Sequence, residues 1–330
     1  MPTGVPPRKS GAPASGAEGE AALILAEGLW FEDCGLIIQA ENTLFRVSGD
    51  FLATRSPVFA DMLSLPKPQD AALMYGCLVV HLSDSAQDTT VFLKALIYSE
   101  FFEPFPAPTT FPILSGVLRM SHKYAVDVLR KRSLVHLSSA HPMSLTEWER
   151  ADVDFTPSWF DAQYCDYIGM VLLARQTSAF WILPTVFYRM CRHSHRREGA
   201  IITGALQSRD KVIYIRAARF LESSATSTML DFLWPTRQSK VCADCIQSRH
   251  RVRRIAEGRR RLSPEDDIGF MPLEIWGEED WEKLDVCRRC LSEMENNHRE
   301  AKQHLWERLP EIFELPDWDC LGQMKEEALR

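Results

Sequence analysis

"LFRVSGDFLATRSPVFADMLSLP", residues 44–66, changes its apolar period partway, and that change decides the fold. "TLFRV" (43–47) alternates as a β-strand does, so Phe45 and Val47 share one face. Working backwards, "CGLIIQA" (34–40) is a second β-rich run, and Glu41-Asn42 between the two runs predicts a hairpin turn. Working forwards, helix signals take over. Asp50 is a candidate N-cap for a helix over 51–54, and Ser56-Pro57 sets a capping hydroxyl before a proline at a first helical position. Val58, Phe59, Met62 and Leu63 then form a stripe at helical spacing, expected to be buried. Strand, turn, strand, helix, helix is the pattern.

Further along, "LVVHL" (78–82) predicts another strand, and a helix starting near Asp88 buries Phe92, Leu93, Leu96 and Ile97. Two more helices are expected over 110–120 and 123–138. This is an α/β cluster with a small sheet. "LFRVSGDFLATRSPVFADMLSLP" resembles the central signature of BTB/POZ domains. "GCLVVHLSDSAQDTTVFLKALIY" (76–98) and "LRMSHKYAVDVLRKRSLVHL" (118–137) resemble the version found in a group of fungal BTB proteins. The likeness runs in order from Asp33 to about Leu137. It implies a short sheet flanked by helical hairpins and an activity of protein–protein association, with itself or with another chain. Relatives that recruit a cullin scaffold carry a hydrophobic residue and a glutamate in the loop after the helix that ends here at Met62-Leu63; "SLPKPQDAAL" (64–73) has no glutamate. Substrate adaptor of a cullin-based ligase is therefore the second reading.

Residues 145–235 read as wholly helical, with Pro184 in a first turn and a further helix over 208–224. "ILPTVFYRM" and the C-terminal "HLWERLPEIFELPDWDCLGQ" also resemble fungal BTB chains, and Trp306, Leu309, Ile312, Phe313, Leu315 and Trp318 are expected to lock the end of the chain onto the helical domain. The expected layout is a disordered tail at 1–28, a BTB/POZ-like domain at 29–140, and a mainly α-helical domain at 141–330 with a charged insert at 246–286. "AALILAEGLW" (21–30) reads either as a dimer-forming helix or as a lead-in.

Composition supports a globular chain of about two domains: 330 residues, 45% hydrophobic and 25% charged. The net charge of −7 opposes general attraction to phosphate backbones. Apolar stretches are broken by charge before the roughly 20 residues of a membrane span, so no membrane association is expected. Nine cysteines without a disulfide-like framework, and no secretory pattern, point to the cytosol or nucleus.

Two CxxC pairs stand out. Cys242, Cys245, Cys287 and Cys290 offer four soft ligands, the number and type of a closed, structural zinc site. The 41 residues between the pairs (246 to 286) exceed the 15 to 20 of compact zinc modules. The alternatives are four small buried residues or a redox pair, and the last would need a βαβ setting. "CRRCLSEMENNHREAKQHLWERL" (287–309) reads as the start of a long helix, so zinc would staple two helices.

Arginines crowd the first half of the insert, from Arg249 through Arg251, Arg253 and Arg254 to Arg259–Arg261, with Arg237 and Lys240 before it. Nine acids follow between Glu265 and Asp285. A face that is solvated or paired within the insert is expected, and no aromatic residues interleave the arginines for nucleic-acid stacking. Nucleic-acid binding thus ranks last. No GxSxG, HExxH or phosphate-binding glycine loop occurs, and "HSH" at 193–195 lies among arginines that oppose a metal cation. A non-enzymatic role is expected.

Overall fold

The computed structural model describes residues 22–66, 73–150, 160–161, 166–192, 204, 206–234, 242–262 and 271–330. The chain divides into two compact units, one from Met1–Gly49 with Pro66–Ala86 and one from Asp50–Leu65 with Gln87–Arg330. The five-stranded sheet lies in the first unit and nearly all the helices lie in the second.

The first unit is a mixed five-stranded sheet in the order β1-β3-β2-β5-β4. Its strands are β1 (Ile24–Trp30), β2 (Leu36–Ala40), β3 (Thr43–Val47), β4 (Leu73–Met74) and β5 (Cys77–Leu82). The expected hairpin is present: β2 and β3 are antiparallel, with Ile38 opposite Phe45 and Ala40 opposite Thr43, across a turn in which Glu41 adopts a φ of 52°. Phe45 and Val47 are both buried on one face, as their alternation predicts. On the other face Ile37, Leu44, Cys77 and Val79 form a small cluster with Trp30 and Met74 against it. Tyr75 and Gly76, both at positive φ, make the two-residue turn that pairs β4 with β5.

β1 corrects the reading of 21–30 as helix or lead-in and starts inside the expected tail. Gly28, at a φ of 73°, sits where the register between Leu25 and Trp30 shifts, and the resulting bulge breaks the alternation that marks a strand. Residues 1–21 lie outside the described residues.

The second unit begins with α1 (Gly49–Arg55) and α2 (Pro57–Ser64). Asp50 lies inside α1 and so is not its cap. Ser56 is the N-cap of α2: its hydroxyl accepts from the Phe59 N–H at 3.1 Å and donates to the Tyr124 carbonyl at 2.5 Å. Those bonds set Phe59 flat on the Tyr124 ring, with centroids 4.6 Å apart. Of the expected stripe only Phe59 is buried, because pinning that residue inward turns Val58 outward to 38% exposure.

α3 (Ala86–Ile97), α4 (Phe111–Lys123) and α5 (Asp127–Ser139) follow the predicted spans closely. Gly116 allows close approach: a Cβ there would sit 2.5 Å from Val91 Cγ2. Next come α6 (Leu145–Arg150), α7 (Asp166–Thr177), α8 (Leu183–Arg192) and α9 (Ser208–Phe220), the last continuing through a π turn to Met229. The stretch is not wholly helical, since β6 (Thr109–Thr110) pairs in parallel with β7 (Phe160–Asp161), a two-residue ladder too short to show a period.

The end of the chain supplies α10 (Ala243–Leu262), α11 (Glu278–Glu282), α12 (Arg288–Ile312) and α13 (Trp318–Leu329). The expected aromatic lock forms. Trp306, Leu309 and Phe313 are buried, Phe313 stacks on Phe187 at 5.3 Å, and Trp306 stacks on Trp318 at 5.3 Å and 4°. Pro310 lies inside α12 and has no N–H to give the Trp306 carbonyl four residues back. The Trp318 indole N–H donates to that carbonyl instead, at 2.8 Å.

Candidate metal centre

The two CxxC pairs occupy equivalent places at two helix starts. Cys242 precedes α10 and Cys245 lies in its first turn; Cys287 is the N-cap of α12 and Cys290 lies in its first turn. Spacing of three across a helix start turns both sulfurs of a pair to one side. All four sulfurs lie within 4.8 Å of one another, with Cys242 Sγ and Cys287 Sγ 3.6 Å apart. A tetrahedral centre with metal–sulfur distances near 2.3 Å has sulfur–sulfur edges of about 3.8 Å, so four thiolates here could hold one metal ion with little movement. Each pair contributes one buried sulfur, Cys245 and Cys290, and one exposed sulfur, Cys242 and Cys287.

The electrostatics split the thiols. The Cys290 backbone N–H in the first turn of α12, helped by the neighbouring thiols, brings Cys287 down to about 7. Its bond with Cys287, then that with Cys245, pushes Cys242 up to about 12. Without a cation the four thiols thus share protons, and a metal ion would displace them. The Cys287 N–H also donates to Cys245 Sγ at 3.4 Å, and the Asp285 N–H to Ser248 Oγ at 2.9 Å, tying the approach to α12 onto α10.

Arg249 is the residue that the sequence reading placed wrongly. It was expected on a solvated or paired basic face, yet it is 2% exposed, and its Nε and Nη2 have no hydrogen-bond partner among the described residues. It follows Cys245 by four residues and so shares its helix face with Cys245, Val252 and Ala256, all buried. A buried cation one helical turn along from Cys245 would offset half of the net charge of −2 that a divalent ion and four thiolates would carry. The positional signal was in the sequence: Arg249 stands four residues after Cys245.

Of the other described arginines in the insert, Arg253 is paired locally. Arg253 contacts Glu257 at 2.8 Å and Asp231 at 3.5 Å and lies over the Trp234 ring, while Lys283 contacts Glu279 at 3.6 Å. Asp244 and Asp285 line the same surface depression as Arg251 and Arg254, so acids and bases intermix there. Arg237, Lys240, the 265–267 acids and the 193–195 histidines lie outside the described residues, as do the side chains of Arg259–Arg261. No helix among the described residues is long and apolar enough to cross a membrane. No protein-family model, no curated protein and no solved structure matches this chain.

Proposed function

We propose that this chain is a non-catalytic association module of the BTB/POZ kind, pairing with a second copy of itself through the edge of its sheet. Its helical unit is held by a structural zinc ion on Cys242, Cys245, Cys287 and Cys290. The strand–turn–strand–helix–helix order from Leu36 to Ser64, followed by β5 parallel to β2, supports the family reading. One observation carries the association: among the described residues β1 is an edge strand, and Leu23 just before it, with Ile24 and Leu25 at its start, are 48%, 54% and 46% exposed. An apolar, unpaired strand edge is a template for another chain.

Zinc follows from the donor set. Four soft sulfurs at tetrahedral spacing leave no open position for a water or substrate, so the ion's role is to hold α10 to α12. Sedimentation of the full-length protein tests the association. A concentration-dependent dimer that Ile24→Lys with Leu25→Lys converts to monomer is expected. A wild type that stays monomeric, or recovers a cullin scaffold in near-equal amount from cell extract, overturns the homotypic reading; the cullin result would make the chain a ligase adaptor.

A further inference from the structure

A cavity of about 1090 Å³ lies in the helical unit between α6, the irregular segment 271–277, α11 and the middle of α12. Three indoles line it: Trp148, Trp276 and Trp281. The Trp276 and Trp281 rings meet at 78° with centroids 5.2 Å apart, so two walls form a corner. The charged lining is mainly acidic, with Glu149, Glu274, Glu278 and Glu295 against Arg299 and Lys302. Glu149 engages Lys302 at 2.6 Å, and Arg299 donates to Asn296 Oδ1 at 3.3 Å.

Three lining side chains hold buried polar atoms with no hydrogen-bond partner among the described residues: Glu274 Oε1, Trp276 Nε1 and His298 Nε2. Trp276 and His298 are 3% and 7% exposed. Such atoms are costly to leave unmet. Glu274 is fixed from behind, where the Tyr188 hydroxyl donates to its Oε2 at 2.8 Å and itself accepts the Leu273 N–H at 2.9 Å. Burial pushes this carboxyl up to about 7, against the lowering pull of the Tyr188 hydroxyl, Arg192, Lys302 and Trp148.

We propose that this solvent-open cavity binds an organic cation of the methylated ammonium class at the corner of the Trp276 and Trp281 rings, with Trp148 and the Glu274 carboxyl in the same lining. Aromatic walls attract a cation through the ring quadrupole, most strongly where water is excluded. A methylated nitrogen, with few or no N–H donors, gains from the aromatic rings without needing hydrogen-bond acceptors. The unmet Trp276 N–H adds a requirement: the ligand carries an oxygen acceptor near its nitrogen. Both choline-like small molecules and a trimethyllysine side chain with its backbone carbonyl meet that description. The proposal depends on neither the sheet edge nor the cysteines.

The test is calorimetric titration of the full-length protein, with tryptophan fluorescence recorded in parallel. Ligands are choline, its neutral isostere 3,3-dimethylbutanol, and a peptide carrying trimethyllysine beside its unmodified counterpart. The cation is expected to bind on the order of tenfold more tightly than the matching neutral or unmodified compound, with Trp281→Ala and Glu274→Gln each weakening it by a similar factor. A peptide at least about tenfold tighter than choline assigns the ligand to a protein partner, and equal affinities assign it to a free small molecule. Equal binding of choline and its isostere overturns the proposal. So does silence of both signals with choline and peptide, or unchanged affinity in a Glu274→Gln variant that melts normally.

Discussion

Replacing Cys287 by serine should release the metal and destabilise the helical unit, by an amount that follows from the spacing of the pairs. In the unfolded chain, 41 residues (246 to 286) separate Cys245 from Cys287. Closing a loop of that length costs about 4 kcal/mol of chain entropy by the relation used for disulfides. Folding has already closed it, since the four sulfurs stand within 4.8 Å of one another. A four-thiolate ion therefore binds the folded chain more tightly than the unfolded one by about that energy, and the difference is stability. At roughly 2 to 4 °C per kcal/mol, the melting temperature should fall by about 8 to 16 °C. Elemental analysis and calorimetry of wild type, Cys287→Ser and chelator-treated protein give the comparison. Cys320→Ser, at a half-buried thiol on α13, is the control and should change neither quantity. Full metal content in Cys287→Ser with an unshifted melt would refute the reasoning, as would a wild type isolated without metal that melts no higher when loaded.

Three further outcomes are expected. Arg249→Met should weaken metal binding on the order of tenfold in a chelator competition, because the charge supporting the thiolates is gone, while the metal-free protein gains stability as an unpartnered buried cation disappears. The Glu274 carboxyl stands at about 7 in the folded protein against an ordinary 4.5, so folding loses stability as pH rises between those values, roughly 3 to 4 kcal/mol at about 1.4 per unit. His298, held down to about 4 by burial and then by Lys302, has the opposite slope, so the signal is the difference between Glu274→Gln and wild type. The variant should match wild type near pH 4.5 and exceed it at pH 8 in denaturant unfolding, and a less stable variant at pH 8 would contradict the burial argument. Ser56→Ala removes a helix cap and one donor to the Tyr124 carbonyl, a loss of about 1 to 3 kcal/mol measurable by urea unfolding.

What could be read in the sequence followed locality. The β2–β3 hairpin, the Ser56 cap and the helix starts at the cysteine pairs each announce themselves within a few residues, because alternation, capping and i to i+3 spacing are short-range rules. β1 was hidden by the bulge at Gly28, which shifts the register in mid-strand. The Trp-lined cavity left no trace in the sequence. Its Glu274, Trp148 and His298 come from three separated segments, and only packing brings them together. Arg249 was misjudged for a different reason: charge count outweighed position, although its helix face was already defined by Cys245.

The exchange at Pro310 has a consequence for inheritance. By removing one backbone donor, the proline makes the Trp306 carbonyl available, and the Trp318 indole fills the vacancy. Alanine at 310 would restore an N–H that competes for the same oxygen; phenylalanine at 318 would strand the oxygen altogether. Neither change is neutral alone. Positions 310 and 318 should therefore drift together across descendants of this chain, a proline persisting where an indole faces it and relaxing where that ring has been lost.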